Sequence, residues 1–588
     1  LEQLEQAIAA ELSVNKAHKH MTFLVEEVGE RLAGTESIQK AAGYIRDELE
    51  RCGLEARVDR FPIYQSYPGS AALRVLHPEE RAIEALPSCH IPSTLDEGMA
   101  GELVYVGAGG HQDYDDLDVR DRLVLADMTW APPRPEKARI ALEHGAKALI
   151  ILNWGTPDNP TIQRGAIKGV WGNPTPESFQ RIPRIPAINV TKAAGEYLKG
   201  LCAQGSVRVW MRADASQEWV LANQPVGVLR AAEETDEFVL VGSHLEGWGK
   251  TAICNSSGNA LSMELARALA LNRDRLKRNV IFAFWDGHEI SEAAGSTHFV
   301  DTHWDKLSRY CIAYVDIDNP GIAGTSIPNA RSAPEIKGFV LDIVDEVWGD
   351  RGTWKMPYKG GDQSFFGVGV PYVSFATGYT PEELERLNWA FLSPWLHTEA
   401  DTLDKVDREL YDRHLRFFAT LVLRLCNSVS LPYDLSQPVA LLMSHLEALK
   451  ELASCVEAVD LDGLVEKTAR LGKAVGLLPR AEQAGKKGRR HVNEGFINEG
   501  LMKASREISF LWTEADKYEQ DPYGYTLIGK PIPRLLVPIE RLRELEPGGQ
   551  DFNLWLTELL RQKNRVADAI DRATDWLTWA ALCQEGSG

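Results

Sequence analysis

No uninterrupted apolar run reaches the length of about 20 residues that a bilayer-spanning helix needs, so no membrane segment is expected. Paired cysteines are also missing. Eight are scattered over 588 residues with no CxxC, which excludes a disulfide scaffold and fits reduced thiols in a cytoplasmic protein. Basic charge is scarce, 64 Lys+Arg against 84 Asp+Glu for a net charge of −20. Nucleic acids and anionic membrane surfaces recruit clustered Lys and Arg, so neither is expected as a partner. No GxSxG segment offers a serine nucleophile on a strand-to-helix turn. "HEISE" (288–292) is not the HExxH zinc helix, because position 292 is Glu. The N-terminal stretch "LEQLEQAIAAELSVNKAHKH" reads as a charged amphipathic helix rather than a signal peptide.

What is present divides the chain by texture. "SIQKAAGYIRDELERCG" (37–53) predicts a helix with Ser37 as N-cap and Gly53 as stop signal. From about 60 to 217, short strand-like runs such as "ELVYVG", "RLVLADM" and "ALIILN" alternate with Gly, Pro and Asp turns, around one helix at 136–144. Between 218 and 432 the pattern is strand, loop, helix: "FVLVGS" (238–243), "NVIFAFW" (279–285), "CIAYVD" (311–316) and "YVSFA" (372–376), with "NALSMELARALAL" (259–271) helical. Continuous β-branched and aromatic runs between helices predict an α/β fold, a mostly parallel mixed sheet covered on both faces. Beyond 433 only helical patterns remain, and "LTELLRQKNRVADAIDRATDWL" (556–577) carries a bundle-type apolar stripe broken at Lys563.

In parallel sheets ligands bind beyond the carboxyl ends of the strands. Metal-competent side chains gather there: His244 and Glu246 in "GSHLEG", His288 and Glu289 in "FWDGHE", Asp316 and Asp318 in "YVDIDNPG". A late loop, "SPWLHTEADTLDKVD" (393–407), adds His397, Glu399 and Asp401. Imidazoles and carboxylates converging on one crevice suit a divalent ion such as Zn²⁺.

These motifs in this order, with "NSSGNALSMELARAL" after the first His, resemble the M28 family of zinc aminopeptidases and carboxypeptidases. "GELVYVG", "DVRDRLVLADM", "KARIALEHGAKALIILN" and "IPAINV" resemble the protease-associated domain. That insertion plus a helical C-terminal region is the layout of the glutamate carboxypeptidase II and transferrin receptor branch. The resemblance implies a catalytic domain at 1–60 and 218–432, a protease-associated domain at 61–217, and a helical domain at 433–588 that makes a homodimer. It implies His244 and Asp318 as ligands of one metal, Glu289 and His397 as ligands of a second, Glu246 orienting an imidazole, and Asp401 behind the ligands.

Two positions depart from the family. Where relatives carry an Asp bridging two zincs, "ICNSSG" places Cys254; where they carry a general-base Glu, "DGHE" places His288. As thiolate, Cys254 binds or bridges metal; as thiol, it leaves His244, Glu289, Asp318 and His397 around a single ion. The single ion is favoured, Zn first, with Fe or Mn also suited to the set. His288 stands as general base, ligand, oxyanion donor, or filler for the lost Glu. The expected function is a metal-dependent hydrolase of amide or peptide bonds in a small molecule or short peptide. The alternatives are a repurposed lyase or amidohydrolase-type enzyme and a catalytically silent homodimer. Trp395, Tyr379 and the loop "YKGGDQSFFG" (358–367), with Asp362 and Gln363, are expected near the substrate.

Overall fold

The apolar runs of the 218–432 segment form the middle of an eight-stranded sheet. The structure, a computed structural model, describes residues 2–357, 364–478, 494–512, 517–518 and 530–585; Asp362 and Gln363 lie outside them. The strands of this sheet, in chain order, are β1 (Glu55–Asp59), β2 (Gln224–Leu229), β3 (Phe238–His244), β4 (Asn279–Trp285), β5 (Cys311–Asp316), β6 (Ile327–Ser332), β7 (Thr353–Lys355) and β8 (Tyr372–Gly378). They lie side by side as β1-β2-β4-β3-β5-β8-β6-β7. The four central strands β4, β3, β5 and β8 are mutually parallel, while β1, β2 and β6 join antiparallel. Every residue of β3 and β5 is buried, as expected for strands covered on both faces. The predicted helix forms over Gly258–Ala270 and is buried almost all round.

The helix after the N-terminal turn spans Glu36–Arg51. Its N-cap is Thr35, whose Oγ1 accepts from Ile38 N, rather than Ser37. The Ser37 hydroxyl instead bonds Thr35 Oγ1 at 2.9 Å, so of two hydroxyl residues two positions apart the earlier one caps. Gly53 ends the helix with φ 81°, the left-handed conformation that glycine adopts without a Cβ clash.

A second eight-stranded sheet is built from residues 62–221. Its predicted strands appear as Met99–Tyr105, Leu123–Asp127, Ala148–Leu152 and Ala187–Val190. The sequence pattern does not reveal its longest pair, Pro62–His77 against Val207–Leu221, joined antiparallel from Pro62↔Leu221 to His77↔Arg208. These strands carry exposed polar residues and a register shift between Pro68 and Ala71, so apolar alternation is interrupted. This ribbon takes the chain out of the first sheet and returns it.

Beyond residue 433 the described residues are helical: Ser436–Ala453, Asp462–Val475, Glu494–Ser509, Pro533–Glu544 and Gln550–Glu585. The stripe Leu559, Val566, Ile570, Ala573 and Leu577 is buried within the chain's own largest apolar core, and Lys563, the break in the pattern, donates to the Asp460 carbonyl. The stripe is therefore used in intramolecular packing. Ile570→Ala should lower unfolding stability by about 2–5 kcal/mol, whereas Leu554→Ala, at an exposed position of the same helix, should stay within about 0.5 kcal/mol. Chemical denaturation compares them, and similar losses would place the stripe outside the core.

Candidate metal centre

Three of the parallel strands end at one crevice because their shared direction brings their carboxyl ends to one side. His244 is the last residue of β3, Asp318 lies two residues after β5, and Glu289 follows the turn after β4. The loop after β8 adds His397, and the segment before the Gly258–Ala270 helix adds Cys254. Thr251, Glu292, Ala293, Asn319 and His397 in these loops all have φ between 50° and 61°. Such conformations cost energy in non-glycine residues and gather at functional sites.

The five side chains form two pairs around one sulfur. His244 Nε2 lies 3.2 Å from Asp318 Oδ1, and His397 Nε2 lies 3.1 Å from Glu289 Oε1. Cys254 Sγ sits between them, 3.5 Å from His244 Nε2, 3.3 Å from Glu289 Oε1 and 3.7 Å from His397 Nε2. His244, Cys254 and Glu289 offer donor atoms mutually within 4.8 Å. Burial raises the Cys254 thiol well above its usual range, and Glu289, Asp318 and Asp401 raise it further, so without a metal it is neutral. Burial also opposes ionisation of Glu289, but His397, His244 and His288 outweigh it and hold that carboxylate far below the usual range. Burial and His288 lower His244, but Asp318 and Glu289 prevail and raise it.

The groups behind this set do not all act as the family resemblance implies. His244 Nδ1 donates at 2.7 Å to the main-chain carbonyl of Glu246, not to its carboxylate. The Glu246 carboxylate is directed elsewhere and accepts from Ala33 N (2.9 Å), Gln65 Nε2 (2.6 Å), Glu289 N (2.9 Å) and Ile290 N (3.1 Å). Asp401 accepts from Ile253 N and Cys254 N at 2.9 and 3.1 Å, fixing the cysteine's main chain. Burial pushes Asp401 up to about 6, against the pull of those two donors. Asp316 turns away from the set and accepts from Tyr372 Oη at 2.7 Å. Glu399 pairs with Arg164 at 2.6 Å. The His288 ring is stacked on that of His244, centroids 4.0 Å apart and planes 14° apart.

A cavity of about 690 Å³ opens onto these residues. Its lining takes Trp130, Arg134, Trp154 and Trp171 from the 62–221 segment and Tyr379 and Phe391 from the 218–432 segment. Tyr379 thus takes the place expected for it, while Trp395 is not part of the wall. The 62–221 segment also grips the ligand loops. Arg164 N donates to His397 O at 3.0 Å, and Lys168 Nζ donates to Ser291 O at 2.6 Å.

Sequence reasoning passed over several residues. Arg31 is fully buried beneath the site and donates to the carbonyls of Leu245, Leu24 and Gly29 and to Ser256 Oγ. Burial lowers it to about 10 while Asp401 and Cys254 pull the other way. Its signal was a lone cation in the loop "GERLAG", which nothing local separates from a surface Arg. Glu292 borders the cavity and is pushed up to about 8 by burial, against the opposing Lys168 and His288.

Residues 226–422 match the model described as Peptidase family M28. A probable glutamate carboxypeptidase of Zea mays is 25% identical over 505 residues, 74% of this chain and 70% of that one. Transferrin receptor protein 2 of Homo sapiens is 22% identical over 522 residues, 73% of this chain and 63% of the receptor. Among solved structures, a peptidase M28 precursor from Shewanella amazonensis matches with a TM-score of 0.59 at 20% identity, covering 73% of this chain and 96% of that one. A zinc aminopeptidase from Bacillus subtilis matches with a TM-score of 0.53 at 20% identity, covering 69% and 93%. At these identities the structural likeness speaks for the fold.

Asp286, which ends the run into "GHE", yields a pH prediction. Burial, with Glu246 nearby, pushes its carboxyl up to about 8 despite hydrogen bonds from Asn223 N and Gly287 N, against about 3.9 in an unfolded chain. Between those values the folded chain holds a proton the unfolded chain has lost. This group's stabilisation is therefore complete below the unfolded pKa and declines as pH rises toward 8. Asp286→Asn should bring the melting temperatures at about pH 5 and about pH 8 closer together than in the unaltered protein. An unchanged gap would mean that Asp286 is ionised when folded.

Proposed function

We propose, from the match of residues 226–422 to the model of Peptidase family M28, that the chain is a metal-dependent hydrolase of amide or peptide bonds in small substrates, with an altered centre. The observation that carries this reading is the convergence of His244, Cys254, Glu289, Asp318 and His397, with neighbouring donor atoms 3.1–3.7 Å apart. Two imidazoles, two carboxylates and a sulfur suit a borderline ion, Zn first, with Fe or Mn also accommodated. Bound there, the ion supplies Lewis acidity toward a substrate carbonyl.

The chain's own residues divide the remaining work. Glu246 and Asp401 hold the turns that carry Glu289 and Cys254 through main-chain N–H groups, so the donors are pre-positioned. His288 stands on the cavity side of His244, and we assign it the proton transfer, taking the proton from the attacking water and passing it to the departing nitrogen. We read 61–217 as the protease-associated insertion, a reading supported by a sheet that begins at Pro62 and returns at Leu221.

The centre is proposed to take one ion. Two dications a few ångströms apart repel strongly unless an anion lies between them, and Cys254 occupies the middle as a thiol surrounded by carboxylates. Elemental analysis of the purified protein should give about one equivalent of transition metal per chain. Two equivalents would reject the single-ion centre, and none would reject the metal reading altogether. Cys254→Asp should raise the content toward two. His288→Ala should lower kcat on peptide anilides by roughly 10²–10⁴-fold with metal content unchanged, and undiminished turnover would remove His288 from the mechanism.

A further inference from the structure

The outer strands of the first sheet carry positive charge into the cavity. Alternate residues of β6, Ile327, Asn329 and Arg331, line it, while Pro328, Ala330 and Ser332 between them are buried on the other face. Register then fixes which side chains stand together. Asp316 of β5 pairs with Ser374 of β8, Ser374 with Arg331, and Arg331 with Lys355 of β7. Residues paired across strands share a face, and all four of these line the cavity. One transverse row therefore leads from β5, two residues before the metal-competent Asp318, out to two adjacent cations.

The two cations stand directly opposite each other, an arrangement that weakens strand pairing unless an anion offsets it. Lys355 makes no hydrogen bond or ion pair among the described residues, and partial burial together with Arg331 lowers its pKa. The acids of the same cavity are engaged elsewhere. Asp318 and Glu289 pair with imidazoles, and Asp316 accepts from Tyr372 Oη at 2.7 Å and Tyr314 Oη at 3.4 Å. Glu292, pushed up to about 8, is largely protonated at neutral pH. The third cation of the lining, Arg134, comes from the second sheet's segment and donates to Gln163 Oε1 at 2.6 Å. With a net charge of −20 the chain as a whole repels anions, so only a local pair of cations gives an acidic ligand a reason to settle here.

Strand spacing gives the reach. Neighbouring strands lie about 4.8 Å apart, so Arg331 is two steps, about 10 Å, and Lys355 three steps, about 14 Å, from the line of β5. An extended chain covers such a span in about three to four residues. Sheet order also gives the side. His288 follows β4, which flanks β3 on the side away from β5, β8, β6 and β7. A departing nitrogen that takes its proton from His288 lies toward β4, and the acyl part of the substrate then lies toward β6 and β7.

We infer that Arg331 and Lys355 form a subsite for a carboxylate that the substrate carries on its acyl side, about three residues from the bond to be cleaved. The inference rests on the hydrolase reading above, but its test requires no turnover. Protein stripped of metal with a neutral chelator, and then freed of it, is titrated by calorimetry with succinyl-Ala-Ala-amide and with butanoyl-Ala-Ala-amide. These peptides differ in ending with a carboxylate or a methyl group. At low salt the succinyl peptide should bind roughly tenfold more tightly. Lys355→Met, a change at an exposed position of an edge strand and so a safe variant for folding, should cut that advantage to about threefold or less. Lys355→Glu should abolish it, with the butanoyl peptide bound as before.

Failure of the succinyl peptide to bind more tightly than the butanoyl peptide overturns the inference, as does an undiminished succinyl advantage in Lys355→Glu. Metal-loaded protein that cleaves the butanoyl peptide with the higher kcat/KM would retain the hydrolase reading and reject this one. A succinyl preference that depends on Lys355, without cleavage of either peptide, would do the reverse.

Discussion

One buried carboxylate, Glu246, ties the site together. It receives N–H groups from three separate stretches of chain: Ala33 in the N-terminal turn, Gln65 at the start of the second sheet, and Glu289 and Ile290 after β4. Its own carbonyl receives His244 Nδ1. A carboxylate out of water is costly unless its lone pairs are satisfied, so these segments must close around it together. Burial and Glu289 raise this group while the donors counter them. Position of the metal-competent side chains therefore depends on a residue that need not touch a metal. Arg31 does the complementary task from below, binding the carbonyl after His244 and the hydroxyl two residues beyond Cys254.

The chemistry of the centre turns on the buried thiol of Cys254 in its middle. Burial, and then Glu289, Asp318 and Asp401 around it, raise its pKa, so the sulfur becomes anionic only when a cation compensates. The same negative surroundings favour a cation, which makes metal affinity and thiol ionisation one coupled equilibrium. The cavity adds an apolar wall from the second sheet, so the two sheets share one site and neither encloses it alone.

Much of this was legible in the residues. β3, β4, β5 and β8 announced themselves as continuous apolar runs, and their shared direction made it possible to place His244, Glu289 and Asp318 at one end before any coordinates. The outer strands β1, β2, β6 and β7 and the long ribbon of the second sheet were not legible, because polar, Gly and Pro residues interrupt their alternation. Cys254 and His288 stood out only through the family resemblance expected from the sequence, a signal of comparison rather than of pattern.

The sequence by itself determined the parallel core, the helical C-terminal region and the donor inventory, since strand periodicity and residue chemistry are local properties. Only the tertiary structure decided what each donor does. The Glu246 carboxylate serves main-chain N–H groups rather than an imidazole, Glu399 is drawn to Arg164, and Trp154 joins the apolar cluster of Cys254 from 100 residues upstream. Hydrogen-bond partnership and burial depend on which distant segments arrive at the same place, and no residue carries that information in its neighbours.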